Sequence, residues 1–374
     1  MSPARSLAGL GLVTAAVLAL TAAGVGGSAF LAAAAVALFP LPLYIGVVLW
    51  LDRFEPEPRA MLAVAFLWGA SVSVVVAGIV NGLAESTVGG VLTSMLAAPL
   101  VEEALKGAIL LRYFVKRRDE FDGPIDGVIY AAMVGLGFAF AENVDYYGRA
   151  FRQDGMGGLA VIFTLRGVMA PFSHPLFTSL TGLGLGIARQ ARSRGVAAAA
   201  PIGGFIGAVL LHAVWNAGAS AGLFFFGVYA LVMLPALAAL FVTVAFALKF
   251  EGRVISTHLA AEAATGLIGG DDYAQLCSVR GRMHASASAL QHGGLQAWRA
   301  RCAYHRAASE LAFLRRRAAV DGVAPDPRAE ADYLRQLGAV CAPAVTDELS
   351  AGAIEAARNG HPEAPSAGGG LPNA

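Results

Sequence analysis

Long apolar runs separated by short polar breaks fill the first 250 positions of the chain. They cover residues 7–24, 28–51, 60–83, 90–114, 125–146, 158–188, 201–222 and 224–250. A helix crosses the hydrocarbon core of a bilayer with about 20 mostly apolar residues. The pattern therefore predicts about eight membrane-spanning helices and an all-α, polytopic transmembrane bundle. The sixth run is overlong and contains Pro171, which predicts a kink or a split there. Gly182, Gly184 and Gly186, and Gly203 with Gly207, have the small-residue spacing that lets helices approach closely, and read as packing positions.

Past Phe250 the pattern changes. Residues 251–346 are rich in Ala and Arg, with Trp298, Tyr304, Leu311 and Leu314 at roughly helical spacing. They predict a small helical cytosolic C-terminal region after a transmembrane domain of residues 1–250. Arg315, Arg316 and Arg317 read as a solvated face or a lipid-headgroup contact. Residues 347–374, rich in Gly, Pro and Ala, read as a disordered tail.

Composition supports the membrane reading. The chain of 374 residues is 57% hydrophobic and 14% charged, against about 25% charged in soluble domains. The formal net charge is +1, and no basic block points to nucleic acid. Cys277, Cys302 and Cys341 are far apart and form no zinc-ribbon pair, so they read as reduced thiols. Arg53 and Arg59, then Arg112, Lys116, Arg117 and Arg118, then Arg189, Arg192 and Arg194 fall in alternate loops, whereas Arg149 and Arg152 fall on the opposite side. Positively charged loops stay cytoplasmic, which places both termini in the cytoplasm of a multi-pass cell-membrane protein. The first run then reads as an uncleaved span rather than a signal peptide.

Against this background the ionisable residues inside apolar runs carry the chemistry. A carboxylate near the bilayer centre costs roughly 2.5–3.5 kcal/mol on insertion scales. Glu102 and Glu103 stand side by side in one run, with Lys106 at i+4 and i+3 on the same face. Lys106 can neutralise one carboxylate while the other serves as a general base, or the group is a packing ion pair. Glu142 and Asn143 end a run of small residues, either capping the helix or facing a cavity. His174 follows Pro171 and could be a general acid, a metal ligand or polar glue between helices. His212 and Asn216, at i and i+4, could donate two hydrogen bonds to one oxyanion or simply pack. Asp126 opens the fifth run and reads as a helix cap. The HExxH and GxSxG patterns are absent, and no pair of aspartates lies within the spans.

Taken in order, Asp52-Arg-Phe-Glu-Pro-Glu-Pro58, Glu102-Glu-Ala-Leu-Lys106, Asp126-Gly-Val-Ile-Tyr130, Gly135-Leu-Gly-Phe-Ala-Phe-Ala-Glu-Asn143, His174 and His212-Ala-Val-Trp-Asn216 resemble the PrsW family of intramembrane proteases. That family lies within the superfamily of CAAX-processing and bacteriocin-processing membrane proteases. The resemblance runs from about Leu51 to Asn216. It implies proteolysis in or beside the bilayer by Glu102, Glu103, His174, His212 and Asn216, with Glu142 and Asn143 as additions and Lys106 in support. The expected substrate is a membrane-anchored protein, with an anti-sigma factor as the class the resemblance suggests. The water is activated either by glutamate with no cofactor or by Zn²⁺, for which the expected ligands are Glu103, His174 and His212. A proton-coupled transporter and a non-catalytic membrane scaffold are the alternative readings, and no internal repeat supports the first.

Overall fold

The computed structural model describes residues 3–339. The expected disordered tail, 347–374, and Cys341 lie outside the described residues. Every regular element among those described is helical. Two compact units divide the chain, Met1–Lys249 and Phe250–Ala374.

The first unit opens with α1 (Pro3–Val25), α2 (Gly27–Leu38) and α3 (Leu41–Leu51). Gly26, at φ 90°, separates the first two, because a left-handed residue ends an α-helix. The Pro-rich segment 52–58 turns the chain, and both carboxylate oxygens of Asp52 accept from the Glu57 N–H, at 3.1 and 3.0 Å. Then come α4 (Arg59–Trp68), α5 (Val74–Val88), α6 (Gly90–Leu92) and α7 (Ala98–Lys116), with π-helical turns at Gly69–Ser73 and Thr93–Ala97.

Helix α8 (Pro124–Phe163) begins with Pro at N1, and Asp126 reaches back to accept from Asp122 N at 2.8 Å and Gly123 N at 2.6 Å. That is the capping role its position predicts. Gly155, at φ 62°, breaks α8 in the polar gap between the runs 125–146 and 158–188, where the apolar pattern predicts separate spans. A third π-turn, Thr164–Met169, runs into a non-helical Ala170, and α9 (Ser173–Gln190) starts afresh beyond Pro171. The split expected at Pro171 is thus present. Helices α10 (Arg194–Ala219), α11 (Phe224–Val228) and α12 (Leu234–His258) follow, with a π-turn at Tyr229–Met233.

Among the described residues, six stretches are long and apolar enough to cross a membrane: Ser6–Val25, Gly27–Leu51, Arg59–Val88, Pro124–Gln190, Arg194–Ala219 and Phe224–His258. The protein is a polytopic helical membrane protein. The tally differs from eight for two reasons. Runs 125–146 and 158–188 fall inside the one stretch Pro124–Gln190, and the run 90–114 holds the charges of α7.

Helix α8 is the centre of this unit, and its glycines let neighbours rest on its main chain. A methyl on Gly127 would lie 2.1 Å from the Gly182 carbonyl oxygen of α9, and one on Gly137 would lie 1.9 Å from the Phe66 carbonyl oxygen of α4. In a bilayer such close packing, rather than exclusion of water, drives helix association. Gly184 and Gly186 also meet main chain, whereas Gly203 has nothing within 4 Å and is not a contact position. At one end of the bundle Arg189 donates to the carbonyls of Phe121, at 2.9 Å, and Phe114, and Gln190 donates to that of Asp122 at 3.2 Å. The Tyr130 hydroxyl donates to Glu57. These bonds gather the loops that carry most of the positive charge.

The second unit contains α13 (Ala260–Ala264), α14 (Gly270–Leu276), α15 (Val279–Asp321) and a helix over 327–339. Gly294, at φ 65°, breaks α15. Tyr304 and Leu311 are buried, as their spacing predicts. Arg315 departs from the expected solvated face. It pairs with Glu262 and Glu330, each at 2.7 Å, because two carboxylates from neighbouring helices converge on its guanidinium. Cys277 and Cys302 are free thiols.

Candidate functional site

Helices α7, α8, α9 and α10 bring most of the intramembrane ionisable residues together. Pro99 at the start of α7, just after the π-turn Thr93–Ala97, sets the helix that presents Glu102, Glu103 and Lys106. All three are buried, Glu103 and Lys106 completely. Lys106 Nζ donates to Glu103 Oε1 at 2.6 Å and to His174 Nδ1 at 3.2 Å, and it lies 4.3 Å from the Phe138 ring centroid.

This contact decides how His174 is protonated. An ammonium group only donates, so Nδ1 accepts. The single N–H of a neutral His174 is then on Nε2, which donates to Glu142 Oε2 at 2.9 Å. His212 has the opposite arrangement. Its Nδ1–H donates to Glu103 Oε1 at 2.9 Å, which leaves Nε2 turned towards Glu102 Oε2, 3.8 Å away. Glu103 Oε2 accepts from the Thr178 hydroxyl at 2.9 Å. Phe177 stacks on the His212 ring with centroids 4.7 Å apart, and the two histidine rings are 5.2 Å apart, edge to face.

Glu102 is bound differently. Its Oε1 accepts from Asn81 Nδ2 at 3.3 Å, while its buried Oε2 has no hydrogen-bond partner. A buried carboxylate oxygen left unpaired is costly, so it marks a place for a further group.

Glu142 and Asn143 face the cluster, bound to a residue the apolar pattern did not single out. Arg166 Nε donates to Asn143 Oδ1 at 2.7 Å, and its Nη2 donates to Glu142 Oε2. The signal for Arg166 is plain in hindsight, since it is the only Lys, Arg, Asp or Glu between Asp154 and Arg189. Thr178 and Asn81 carried no such signal. Asn216 is placed apart: its Nδ2 donates to the Ser94 carbonyl at 2.8 Å and ties α10 to the π-turn before α7. With the N–H of a neutral His212 spent on Glu103, His212 and Asn216 do not form one donor pair.

Glu102, His174 and His212 each offer a ligand atom within 4.8 Å of the others. The set expected from the sequence had Glu103 in place of Glu102. Glu103 is instead engaged by Lys106, His212 and Thr178. Two histidines, one glutamate and water are an ordinary zinc donor set. The unpaired Glu102 Oε2 fits that role. His212 fits it too, because a carboxylate behind a ligating histidine fixes its tautomer. His174 would hold an ion through a nitrogen now bonded to Lys106 or Glu142.

Fold and site together define a multi-pass helical membrane protein with a buried Glu/His cluster between its central helices. The family described as PrsW family intramembrane metalloprotease matches residues 57–240, and that segment is similar to the PrsW family. Three proteins named Protease PrsW are similar to it. The one from Geobacillus kaustophilus (strain HTA426) is 32% identical over 145 residues, which is 37% of this chain and 59% of that protein. Those from Clostridioides difficile (strain 630) and Bacillus subtilis (strain 168) are each 35% identical, over 114 and 97 residues. These matches take in 28% and 25% of this chain, and 47% and 44% of those proteins. The chain thus spans about half the length of the curated relatives it matches. No solved structure matches it.

Proposed function

We propose that the protein is an intramembrane endopeptidase that cleaves membrane-anchored protein substrates, and that Glu102 is the group that handles the proton of the attacking water. The single observation behind this reading is the buried, unpaired Glu102 Oε2 opposite His212 Nε2. Water between these atoms would have one carboxylate to take its proton and one imidazole nitrogen to orient it. Glu103 holds His212 by its Nδ1–H, so Nε2 stays an acceptor. Lys106 keeps the charge of Glu103 partnered and fixes His174. Glu102 then returns the proton to the leaving amine. A divalent cation held by Glu102, His174 and His212 would supply Lewis-acid activation of the carbonyl. The family description favours that variant.

The reading is tested by cleavage of a panel of single-span membrane proteins by the purified full-length protein in lipid. Wild type, Glu102→Gln and Glu103→Gln are compared, with and without a strong chelator. Both variants are expected to lose cleavage. Activity surviving in Glu102→Gln would remove Glu102 from the proposed role. Cleavage lost in chelator and restored by Zn²⁺ would establish the metal-dependent variant, and cleavage unaffected by chelator would establish the metal-free one.

A further inference from the structure

We infer that Arg166 is a positioning residue that acts through Glu142 to hold His174, an inference that rests on the endopeptidase reading above. A lone arginine in an apolar stretch is costly unless its guanidinium is fully engaged. Here it is engaged on three sides by one face of α8. Nε donates to Asn143 at 2.7 Å, Nη2 donates to Glu142, and the guanidinium carbon lies 4.1 Å from the Tyr146 ring centroid. Arg166 itself sits in the π-turn Thr164–Met169, ahead of the break that leads into α9. π-turns inside α-helices recur at functional sites.

The bond to Glu142 matters because of the atom it uses. Glu142 Oε2 accepts from both Arg166 and His174 Nε2. The Arg166 and Glu142 side chains are 17% and 22% exposed, whereas His174 is 3% exposed. Without the arginine, Glu142 would be a partly buried carboxylate without that cation, free to turn to the open edge. His174 Nε2–H would then lose its acceptor, and of the two hydrogen bonds that hold the ring only the one from Lys106 would remain. Lys106 would still set the tautomer, so what changes is the orientation of the ring. A planar fork can hold Asn143 and Glu142 at once, and a lysine cannot.

The test uses the full-length protein in lipid with Arg166→Gln, Arg166→Lys, Glu142→Gln and the double variant Glu142→Gln/Arg166→Gln. Two readouts are taken: kcat and KM on a cleaved single-span protein, and the rate at which diethyl pyrocarbonate modifies His174, followed by mass spectrometry with exposed His284 as the internal reference. Arg166→Gln is expected to lower kcat by about 10-fold or more, the scale for groups that orient a ligand or catalytic side chain. KM should stay within about twofold, because no substrate contact is removed. Arg166→Lys should rescue only in part, and His174 should react several-fold faster in Arg166→Gln. Because the arginine acts through the carboxylate, the double variant should be no slower than the slower single variant.

Multiplying effects with a raised KM would make Arg166 a substrate contact and overturn the inference, as would unchanged His174 reactivity. If Arg166→Gln does not fold, the comparison becomes Glu142→Gln against the double variant. Equal kcat and equal His174 reactivity are then expected, and a further fall in kcat overturns the inference. If wild type cleaves nothing, the endopeptidase reading fails by itself, and His174 reactivity still decides the role of Arg166.

Discussion

Glu103 and Lys106 are both completely buried and 2.6 Å apart. Breaking such a pair from one side leaves an uncompensated charge, at a cost of about 3–5 kcal/mol. Glu103→Gln is therefore expected to lower stability by that order, and Glu103→Gln/Lys106→Met to recover most of it, as read by denaturant unfolding in micelles. A single variant as stable as wild type would mean that the pair is not isolated from water. The residues of this cluster were legible in the sequence to the extent that each is ionisable and stands in an apolar run. That rule found Glu102, Glu103, Lys106, Glu142, His174 and His212. It applies equally to Arg166, which stands inside the run 158–188. Which glutamate keeps an unpaired oxygen was not legible, since it depends on Asn81, Thr178 and His212 arriving from three other helices. Nor was the partner of Asn216, because Ser94 lies in a π-turn that hydrophobicity does not mark.

At the level of helices, apolar length gave the spans, and Pro171 gave the split before α9. The polar gap between the runs 125–146 and 158–188 likewise gave the break at Gly155. Helix contacts are what convert these elements into a site. A methyl on Gly135 would lie 2.6 Å from Pro175 N and 2.7 Å from the His174 carbonyl carbon. Gly135→Ala must push the start of α9 away from α8, and with it the histidine that Lys106 and Glu142 hold. Overpacking of this kind costs about 1–3 kcal/mol. The expected result is a lower thermal midpoint together with loss of cleavage, while Gly203→Ala, with open space around it, should stay within about 0.5 kcal/mol of wild type. Equal behaviour of the two variants would show that α8 and α9 can separate without harm.

Across the whole molecule, the loops richest in arginine and lysine meet at one end of the membrane unit. At the other, Arg152 donates to the Gly24 carbonyl at 2.9 Å. That arrangement supports cytoplasmic termini. In intact cells, Cys277 and Cys302 should resist a thiol reagent that cannot cross the membrane, and should react once the cells are opened. Labelling from outside would invert the topology. The glycine face of α8 bears on something else as well. Helices seated on side chains can settle by changing rotamers, but helices seated on bare peptide planes have nothing to compress. The membrane unit is therefore a stiff frame at its centre and a compliant one at its rim. A thicker or thinner bilayer would be absorbed by the tilt of α1 and α12, leaving His174 at a fixed height on α8, where Gly135 meets the peptide between His174 and Pro175.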